Sequence, residues 1–335
     1  MKLIIPMAGR GSRLRPHTLT VPKPLVPVGG KPIVHRLVED IAASCPEKID
    51  EIGFVIGDFG AEVEKELIAV AAQLGAKGTI HYQTEPLGTA HAVLCAKELL
   101  DGPVTVAFAD TLFKANFKID PSDEGILYVS QIEDPSAFGV VKMNEAGEII
   151  DFVEKPQTFV SDLAMIGIYY FKKGEDLRKE LEYLVDNNIM KSGEYQLPDG
   201  LRRLTEKGVK FKPGKVDEWL DCGNKPVTVF TNQRVLEFDK AAGKNMKSAS
   251  AQIKNSVVIE PCFIGENVII ENSVVGPHVS LGKGTKIARS IIVNSIIQND
   301  TEVSDANLKD SMIGSKAIYS GKASDISLGD FSVIE

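Results

Sequence analysis

The 335-residue sequence is poor in the features that mark secreted, membrane-bound or nucleic-acid-binding chains. Its four cysteines, Cys45, Cys95, Cys222 and Cys262, lie far apart with no CxxC pair, which argues against a zinc site or a disulfide framework and for a reducing cytoplasm. No run of about 18 apolar residues occurs, so nothing reads as a membrane span. The apolar part of the opening MKLIIPMAGRG is too short for a signal peptide and reads as a strand and a loop. Positive charge is scarce: 38 Lys and Arg against 46 Asp and Glu leave a net charge of −8 and no general basic face for a nucleic-acid backbone. A small phosphorylated ligand needs only a few placed cations and stays open. The histidines His17, His35, His81, His91 and His278 show no metal-ligand spacing, and each reads as structural.

What is present is an ordinary globular composition, 43% hydrophobic and 25% charged, in a chain long enough for two domains. Short apolar runs alternate with amphipathic stretches through the first part: strands at 2–6, 52–56, 79–83 and 104–109, helices at 33–44, 61–72 and 89–100. That alternation predicts an α/β fold with a mostly parallel, Rossmann-like sheet covered by helices on both faces. Such sheets bind ligands beyond the carboxyl ends of their strands, so the loops after Pro6, Gln83 and Ala109 are where chemistry is expected. Strands and hairpins follow from about Gly125, then helices near 176–186, 197–205 and 227–242.

From Ile253 the pattern changes in kind. Pairs of an aliphatic and a small or polar residue recur every five or six positions, among them Ile264-Gly265, Ile270-Glu271, Leu281-Gly282, Ile287-Ala288 and Ile313-Gly314. This period marks a β-helix, each repeat supplying one short strand. The expected division is a domain over 1–243, a linker over 244–252 and a hexapeptide-repeat domain over 253–335. Val257, Val274, Ile292 and Ile296 are the apolar residues expected to face outward.

Two segments carry chemistry near the start. Met7-Ala8-Gly9-Arg10-Gly11-Ser12-Arg13-Leu14 follows a strand, and its glycines allow a tight turn that brings N–H groups close to phosphate oxygens. Arg13 adds a forked cation for the same oxygens. In Val21-Pro22-Lys23-Pro24-Leu25-Val26-Pro27 the prolines fix an extended path that presents Lys23 at a defined place. The loop is not a Walker loop, having no Gly-Lys-Ser/Thr.

Gly9-x-Gly-Ser-Arg-Leu followed by Pro22-Lys23-Pro24-Leu25 resembles the opening of the sugar nucleotidyltransferase family, of which glucose-1-phosphate thymidylyltransferases and uridylyltransferases are members. The resemblance covers essentially the whole chain: a nucleotidyltransferase domain, then a short left-handed β-helix. It implies a nucleotide site built from Met7, Ala8, Gly9, Gly11, Ser12 and Arg13, with Gly9, Gly11 and Arg13 around the triphosphate and Lys23 touching phosphate. Gln83-Thr-Glu-Pro86-Leu-Gly88-Thr89 resembles the family's nucleobase loop. The Gln83 amide offers a donor and an acceptor together, which suits the imide edge of uracil or thymine, and Gly88 would let the backbone approach the base.

Asp110 follows the strand 104–109, and Asp221 lies in Glu218-Trp219-Leu220-Asp221-Cys222. Magnesium favours one or two carboxylates plus phosphate and water oxygens, and the family carries an aspartate at each place as a Mg²⁺ ligand. Ala109 and Cys222 depart from the family's usual glycine and threonine without altering a carboxylate. Trp219 reads as packing beside Asp221. Phe138-Gly139-Val140-Val141, Glu154-Lys155-Pro156 and Gly167 resemble the sugar-binding elements, with Glu154 for sugar hydroxyls and Lys155 for the sugar phosphate. Met165-Ile166-Gly167 is more apolar than the Asn-Thr-Gly of N-acetylglucosamine-1-phosphate enzymes.

The implied reaction joins a sugar 1-phosphate, glucose 1-phosphate by default, to UTP or dTTP and releases pyrophosphate, with Arg13, Lys23 and Lys155 as the catalytic cations and Mg²⁺ on Asp110 and Asp221. A homo-oligomer built through the β-helix is expected, with neither nucleic acid nor membrane as partner. Two alternatives are a catalytically inactive regulatory subunit of the same fold and a bifunctional enzyme with acyltransferase activity in the β-helix. The first is disfavoured because the arginine, the lysine and both aspartates are present. The second needs a placed histidine, and His278 is the only one after residue 91.

Overall fold

The computed structural model describes residues 1–9, 11–115, 120 and 122–322. In chain order the elements are β1 (Lys2–Pro6), β2 (Pro27–Val28), β3 (Lys31–Pro32), α1 (Ile33–Ser44), β4 (Glu51–Ile56), α2 (Ala61–Gln73), β5 (Lys77–Tyr82), α3 (Thr89–Leu94) and β6 (Val104–Ala107). They continue with β7 (Thr111–Lys114), β8 (Gly125–Gln131), β9 (Gly139–Met143), β10 (Ile149–Glu154), β11 (Leu163–Phe171), α4 (Gly174–Asp186), α5 (Leu197–Glu206), β12 (Phe211–Lys215), β13 (Glu218–Asp221) and α6 (Lys225–Ala241). The chain forms two compact units. One comprises Met1–Val26 and Lys31–Asn224, the other Pro27–Gly30 and the chain from Lys225 onward. The division therefore falls after Asn224, where the sequence boundary was drawn at 243, and α6 groups with the repeats. Residues 323–335 of the expected repeat domain lie outside the described residues.

The first unit is built on a nine-stranded sheet of order β5-β4-β1-β6-β11-β8-β12-β10-β9. The parallel sheet expected from the βα alternation is the part β5-β4-β1-β6. Beyond β6 the pairing is mixed: β11 runs antiparallel to both β6 and β8, and β12 runs parallel to β8. Leu3, Ile4 and Ile5 of β1 are fully buried, as a central strand covered on both faces requires. Helices α3, α4 and α5 bury Val93, Leu177, Leu181, Leu201 and Leu204 in one core with Ile4, Val55, Val104 and Phe171 from the sheet. α1 buries Ile33, Leu37, Val38 and Ile41, the helical spacing read from the sequence. The helix expected over 89–100 ends at Leu94, and a separate short turn covers Lys97–Leu99.

The sheet order places the site. From β1 the chain moves through β4 to β5 on one side, then returns to β6 on the other side of β1. That reversal opens a crevice beyond the carboxyl ends of β1 and β6. The loops leaving Pro6, Tyr82 and Ala107 all emerge at that edge.

In the second unit three parallel sheets stack successive coils. The first runs β14 (Gln252–Lys254), β17 (Ile269–Glu271), β20 (Lys286–Ala288), β23 (Glu302–Ser304) and β26 (Ile318–Ser320). The second runs β15 (Val257–Val258), β18 (Val274–Val275), β21 (Ile291–Val293) and β24 (Asn307–Lys309), and the third β16 (Cys262–Ile264), β19 (Val279–Leu281), β22 (Ile296–Ile297) and β25 (Met312–Ile313). Ile253, Ile270, Ile287 and Val303 pair in register up the first sheet, so a coil is 17 residues and then 16, shorter than three full hexapeptides. Asn255, Asn272 and Asp305 turn corners with φ of 47–54°, a conformation that their short polar side chains tolerate. Serines close the turns: Ser256 Oγ accepts the Ser273 N–H at 3.0 Å, and Ser273 Oγ accepts the Ser290 N–H at 3.0 Å.

One of the residues expected to face outward does not. Ile292 is buried in the interior, in register with Val275, while Val257 is 57% exposed and Ile291, two strands along the same sheet, 50%. Ile296 is buried too, but it pairs in register with Ser280, which bonds Asn232 outside the coil, so it lies on the covered outer face and its neighbour Ile297 fills the interior. A one-position difference along a strand changes the face, and the irregular coil length shifts that register.

The same unit contains a buried polar clamp. Asn232 of α6 is fully buried, and its Oδ1 accepts the Gly29 N–H at 2.9 Å and the Ser280 hydroxyl at 2.7 Å. Its Nδ2 donates to the His278 carbonyl at 3.3 Å. Gly29 and Gly30 both have positive φ, and a Cβ on Gly30 would lie 2.3 Å from the Phe263 ring. Asn232→Leu leaves three polar groups without their partner, and we expect it to destabilise this unit by about 2–4 kcal/mol. Urea unfolding of the full chain checks this; an unchanged midpoint for the unit's transition would remove the clamp.

Candidate active site

The phosphate-type loop is held from both sides. Met7 N–H donates to Val55 O at 2.8 Å, and the loop then turns at Gly11, whose φ is +59°. A Cβ there would lie 2.7 Å from Lys23 Cβ, so glycine is required for the loop to pack on the lysine stem. Nothing lies within 4 Å of a Cβ placed on Gly9. Lys23 begins a short 3₁₀ turn over Lys23–Leu25 where an extended path was expected; Pro24 has the fixed φ that suits a helical first turn.

Lys23 is only 7% exposed, and its Nζ meets Asp110 Oδ2 at 3.0 Å. Asp110 stands directly before β7, which pairs antiparallel with β13, Thr111 opposite Asp221. The Cys222 N–H closes the ladder on the Asp110 carbonyl at 3.0 Å. Two aspartates far apart in sequence are thus placed side by side. Burial pushes the Asp221 carboxyl up and Asp110 adds to the shift, against Lys23, the Gly223 N–H and Arg13, which draw it down. Among the described residues no three His, Cys, Asp or Glu side chains gather for a metal, and Asp110 and Asp221 stand as a pair. Two mutually repelling carboxylates fit a hard divalent cation that takes its other ligands from phosphate and water.

Two cavities meet here. Every residue assigned to the nucleotide, from Met7 to Arg13 and from Gln83 to Thr89, lines a cavity of about 340 Å³ together with Lys23 and Asp110. Gly139, Glu154, Lys155, Gly167 and Asp221 line a second, of about 310 Å³. Arg13, Thr89, Phe108 and Asp110 belong to both walls. The structure therefore brings all the candidate residues to one double cavity with Arg13 and Asp110 at its waist.

In the second cavity the glycines make room. A Cβ on Gly139 would lie 2.7 Å from Glu154 Oε2 and 2.5 Å from Met165 Cε. Gly167, φ +84°, sits in a bulge where Met165 faces Val129 but Tyr169 faces Leu127, and its carbonyl takes the Phe108 N–H at 2.9 Å. Burial pushes the Glu154 carboxyl up, offset in part by Lys155. Lys155 has its N–H on the Phe138 carbonyl, 3.1 Å, while its side chain is 66% exposed with Nζ 4.0 Å from Glu154 Oε1.

Sequence reasoning missed several walls. Tyr169, 6% exposed, lines the second cavity, and burial reinforced by Glu154 and Asp110 raises its hydroxyl pKa. Trp219 packs edge-on against Phe138, 4.9 Å between ring centres, donates to Thr111 Oγ1 at 3.3 Å, and also forms cavity wall. The segment before α5 supplies Glu194 to the first cavity and Gln196 to the second. It is knitted to the start of α3 by Ala90 N–H on the Tyr195 carbonyl, 3.0 Å, and Leu197 N–H on Thr89 Oγ1, 2.9 Å. No local signal marks these residues, since each reaches the site through a pairing remote in sequence.

Gly88 has a structural role besides the one expected. With φ +101°, a Cβ there would lie 2.5 Å from the Tyr195 carbonyl oxygen, so the glycine admits the 194–197 segment.

The sequence pattern of the nucleotidyl transferase family matches residues 2–236. The chain is 27% identical over 362 residues to a glucose-1-phosphate thymidylyltransferase of Streptomyces antibioticus, covering all of this chain and 99% of the other. It is 30% identical over 349 residues to the low-salt glycan biosynthesis nucleotidyltransferase of Haloferax volcanii, covering 97% of this chain and 95% of that one. Among solved structures it resembles a nucleoside-diphosphate-sugar pyrophosphorylase from Vibrio cholerae, with a TM-score of 0.58 and 25% identity over 69% of this chain and 99% of that one.

Gly88→Ala tests the close approach directly. We expect about 2–4 kcal/mol of destabilisation in the ligand-free protein, from backbone strain and displacement of the Tyr195 carbonyl. A melting temperature equal to that of the unaltered chain would show that the segment can withdraw at no cost.

Proposed function

The chain belongs to the nucleotidyl transferase family, and we propose that it joins UTP or dTTP to a sugar 1-phosphate, glucose 1-phosphate by default, releasing pyrophosphate and an NDP-sugar. The observation that carries this reading is the waist between the two cavities. A triphosphate in one and a sugar phosphate in the other would meet beside Arg13 and Asp110, which wall both.

In this reading the backbone at Gly9 and Gly11 and the Arg13 guanidinium hold the triphosphate, and Arg13 stabilises the departing pyrophosphate. Gln83, Pro86, Gly88 and Thr89 border the base. Glu154 receives sugar hydroxyls, and Lys155, whose ammonium is exposed, holds the attacking phosphate. A sugar phosphate oxygen attacks the α-phosphorus in line as the bond to pyrophosphate breaks. Catalysis is alignment and charge neutralisation, with no covalent protein intermediate. Mg²⁺ on Asp110 and Asp221, when bound, supplies neutralisation of the crowded phosphate oxygens. Lys23, already paired to Asp110, adds its own positive charge to that of Arg13 on the wall of the first cavity.

Asp110→Asn is expected to lower pyrophosphate release by roughly a thousandfold or more, and to lower the melting temperature as well because the nearly buried Lys23 loses its charged partner. A screen of the common triphosphates against sugar 1-phosphates, read as pyrophosphate, tests the substrates; preference for GTP with mannose 1-phosphate would overturn the pyrimidine assignment. His278, the one histidine open to the acyltransferase alternative, has its Nε2 3.1 Å from Glu237 Oε1. All four cysteines stand outside any disulfide, which suits a cytoplasmic enzyme. No helix among the described residues is long and apolar enough to cross a membrane.

We also propose a homo-oligomer through the β-helix, whose outer surface leaves Val257, Ile291, Ile318 and Tyr319 exposed. Light scattering should give a multiple of the 36.3 kDa chain mass, reduced by Ile291→Lys. A monomeric unaltered chain would leave the β-helix as an intramolecular support.

A further inference from the structure

The hydrogens of the Gln83 amide can be accounted for one by one. Gln83 stands just after β5, with its backbone N–H on the Ile56 carbonyl at 2.9 Å. Its side-chain Nε2 donates to the Gly88 carbonyl at 3.1 Å and lies 3.2 Å from His91 Nδ1. The Gly88 carbonyl also receives the Ala92 N–H at 3.0 Å, so both its lone pairs are used. An amide nitrogen carries two hydrogens and accepts none. The His91 ring must therefore receive at Nδ1 and carry its own hydrogen on Nε2. Cys95 Sγ, 3.9 Å from the same Nδ1, is a much weaker donor. Burial lowers the His91 pKa, opposed by Glu85, so the neutral ring that this arrangement needs is favoured.

Both Nε2 hydrogens are then spent, and Gln83 Oε1 is the polar atom of the side chain still open to a ligand in the first cavity. This differs from the donor-and-acceptor pair that the residue type alone suggests.

We infer that His91 is a positioning residue for base selection: together with the Gly88 carbonyl it fixes Gln83 as an acceptor only, for the N3 hydrogen of uracil or thymine, whereas cytosine in the same pose sets its N3 lone pair against Gln83 Oε1 and can reach that oxygen only by shifting to present its 4-amino group. The inference rests on Gln83 bordering the base, as proposed above. His91 is second in line, touching Gln83 and not the nucleotide. It acts on preference between bases of equal size, a property that general packing would not alter.

Titration calorimetry of the full chain with UTP and CTP tests it, or with dTTP and 5-methyl-dCTP if the deoxy series binds better. Each pair matches in size and inverts the donor and acceptor pattern of the edge. The unaltered chain should prefer the imide base. His91→Leu frees one amide hydrogen, and the preference should fall by about three- to tenfold, the worth of one hydrogen bond. His91→Asn offers Oδ1 near the place of Nδ1 and should restore it. Gln83→Leu should remove the preference altogether. If Gln83→Leu keeps it, the placement of the base has failed, and the inference falls with it. If Gln83→Leu loses the preference while His91→Leu retains it in full, the role of His91 alone is overturned.

Discussion

Asp110 and Asp221 repel each other, and the first unit is arranged around holding them together. The β7–β13 pairing fixes their backbones, with the Cys222 N–H closing on the Asp110 carbonyl. Lys23 supplies the charge that makes this arrangement tolerable in the absence of ligand, and it can do so only because Gly11 leaves space for its stem. The pair is nearly buried on the lysine side and open on the aspartate side, 8% against 43% exposed. A buried lysine without a partner would cost far more than a surface one, so Lys23 and Asp110 constrain each other. The phosphate loop, the 3₁₀ turn and the β7–β13 ribbon are consequences of that requirement.

What the sequence made legible was local. The strand at 2–6, the glycines of the first loop, Lys23 between prolines and the Gln83–Thr89 loop each declare themselves within a dozen residues. Their types restrict the backbone or the charge in ways that need no fold. Asp110 and Asp221 were legible one at a time, as acids at strand ends. Trp219, Tyr169 and the 194–197 segment were not legible as cavity walls, because they arrive by pairing with Phe138, by a bulge in β11 and by hydrogen bonds to α3. Gly88 carries a constraint that the sequence does not reveal: a glycine announces that something comes close, while only the fold shows that the Tyr195 carbonyl does.

The repeats teach the same lesson at lower resolution. Their period predicted stacked coils, and stacked coils are present. Which aliphatics point inward was misread at Ile292, because coils of 17 and 16 residues do not keep a strict count of six. Asparagine and aspartate at the corners, with φ near +50°, were the better register marks. They fix where each strand begins, and the inward face follows from that.

The charge balance at the waist gives a last reason for the site's design. Arg13, Lys23 and Lys155 line the double cavity with Asp110, Asp221, Glu154 and Glu194, three cations against four carboxylates. A triphosphate and a sugar phosphate would add several negative charges, each terminal phosphate bringing roughly −1.5 to −2. The resident cations are too few to meet that load, and two of them are already engaged or adjacent to carboxylates. More lysines would overcharge the empty site and bind phosphate of any kind. A divalent cation entering with its phosphates adds charge only when charge is needed, and a pair of adjacent aspartates is the economical way to receive it. In the proposed reaction the carboxylates of the double cavity are therefore what selective phosphate binding requires.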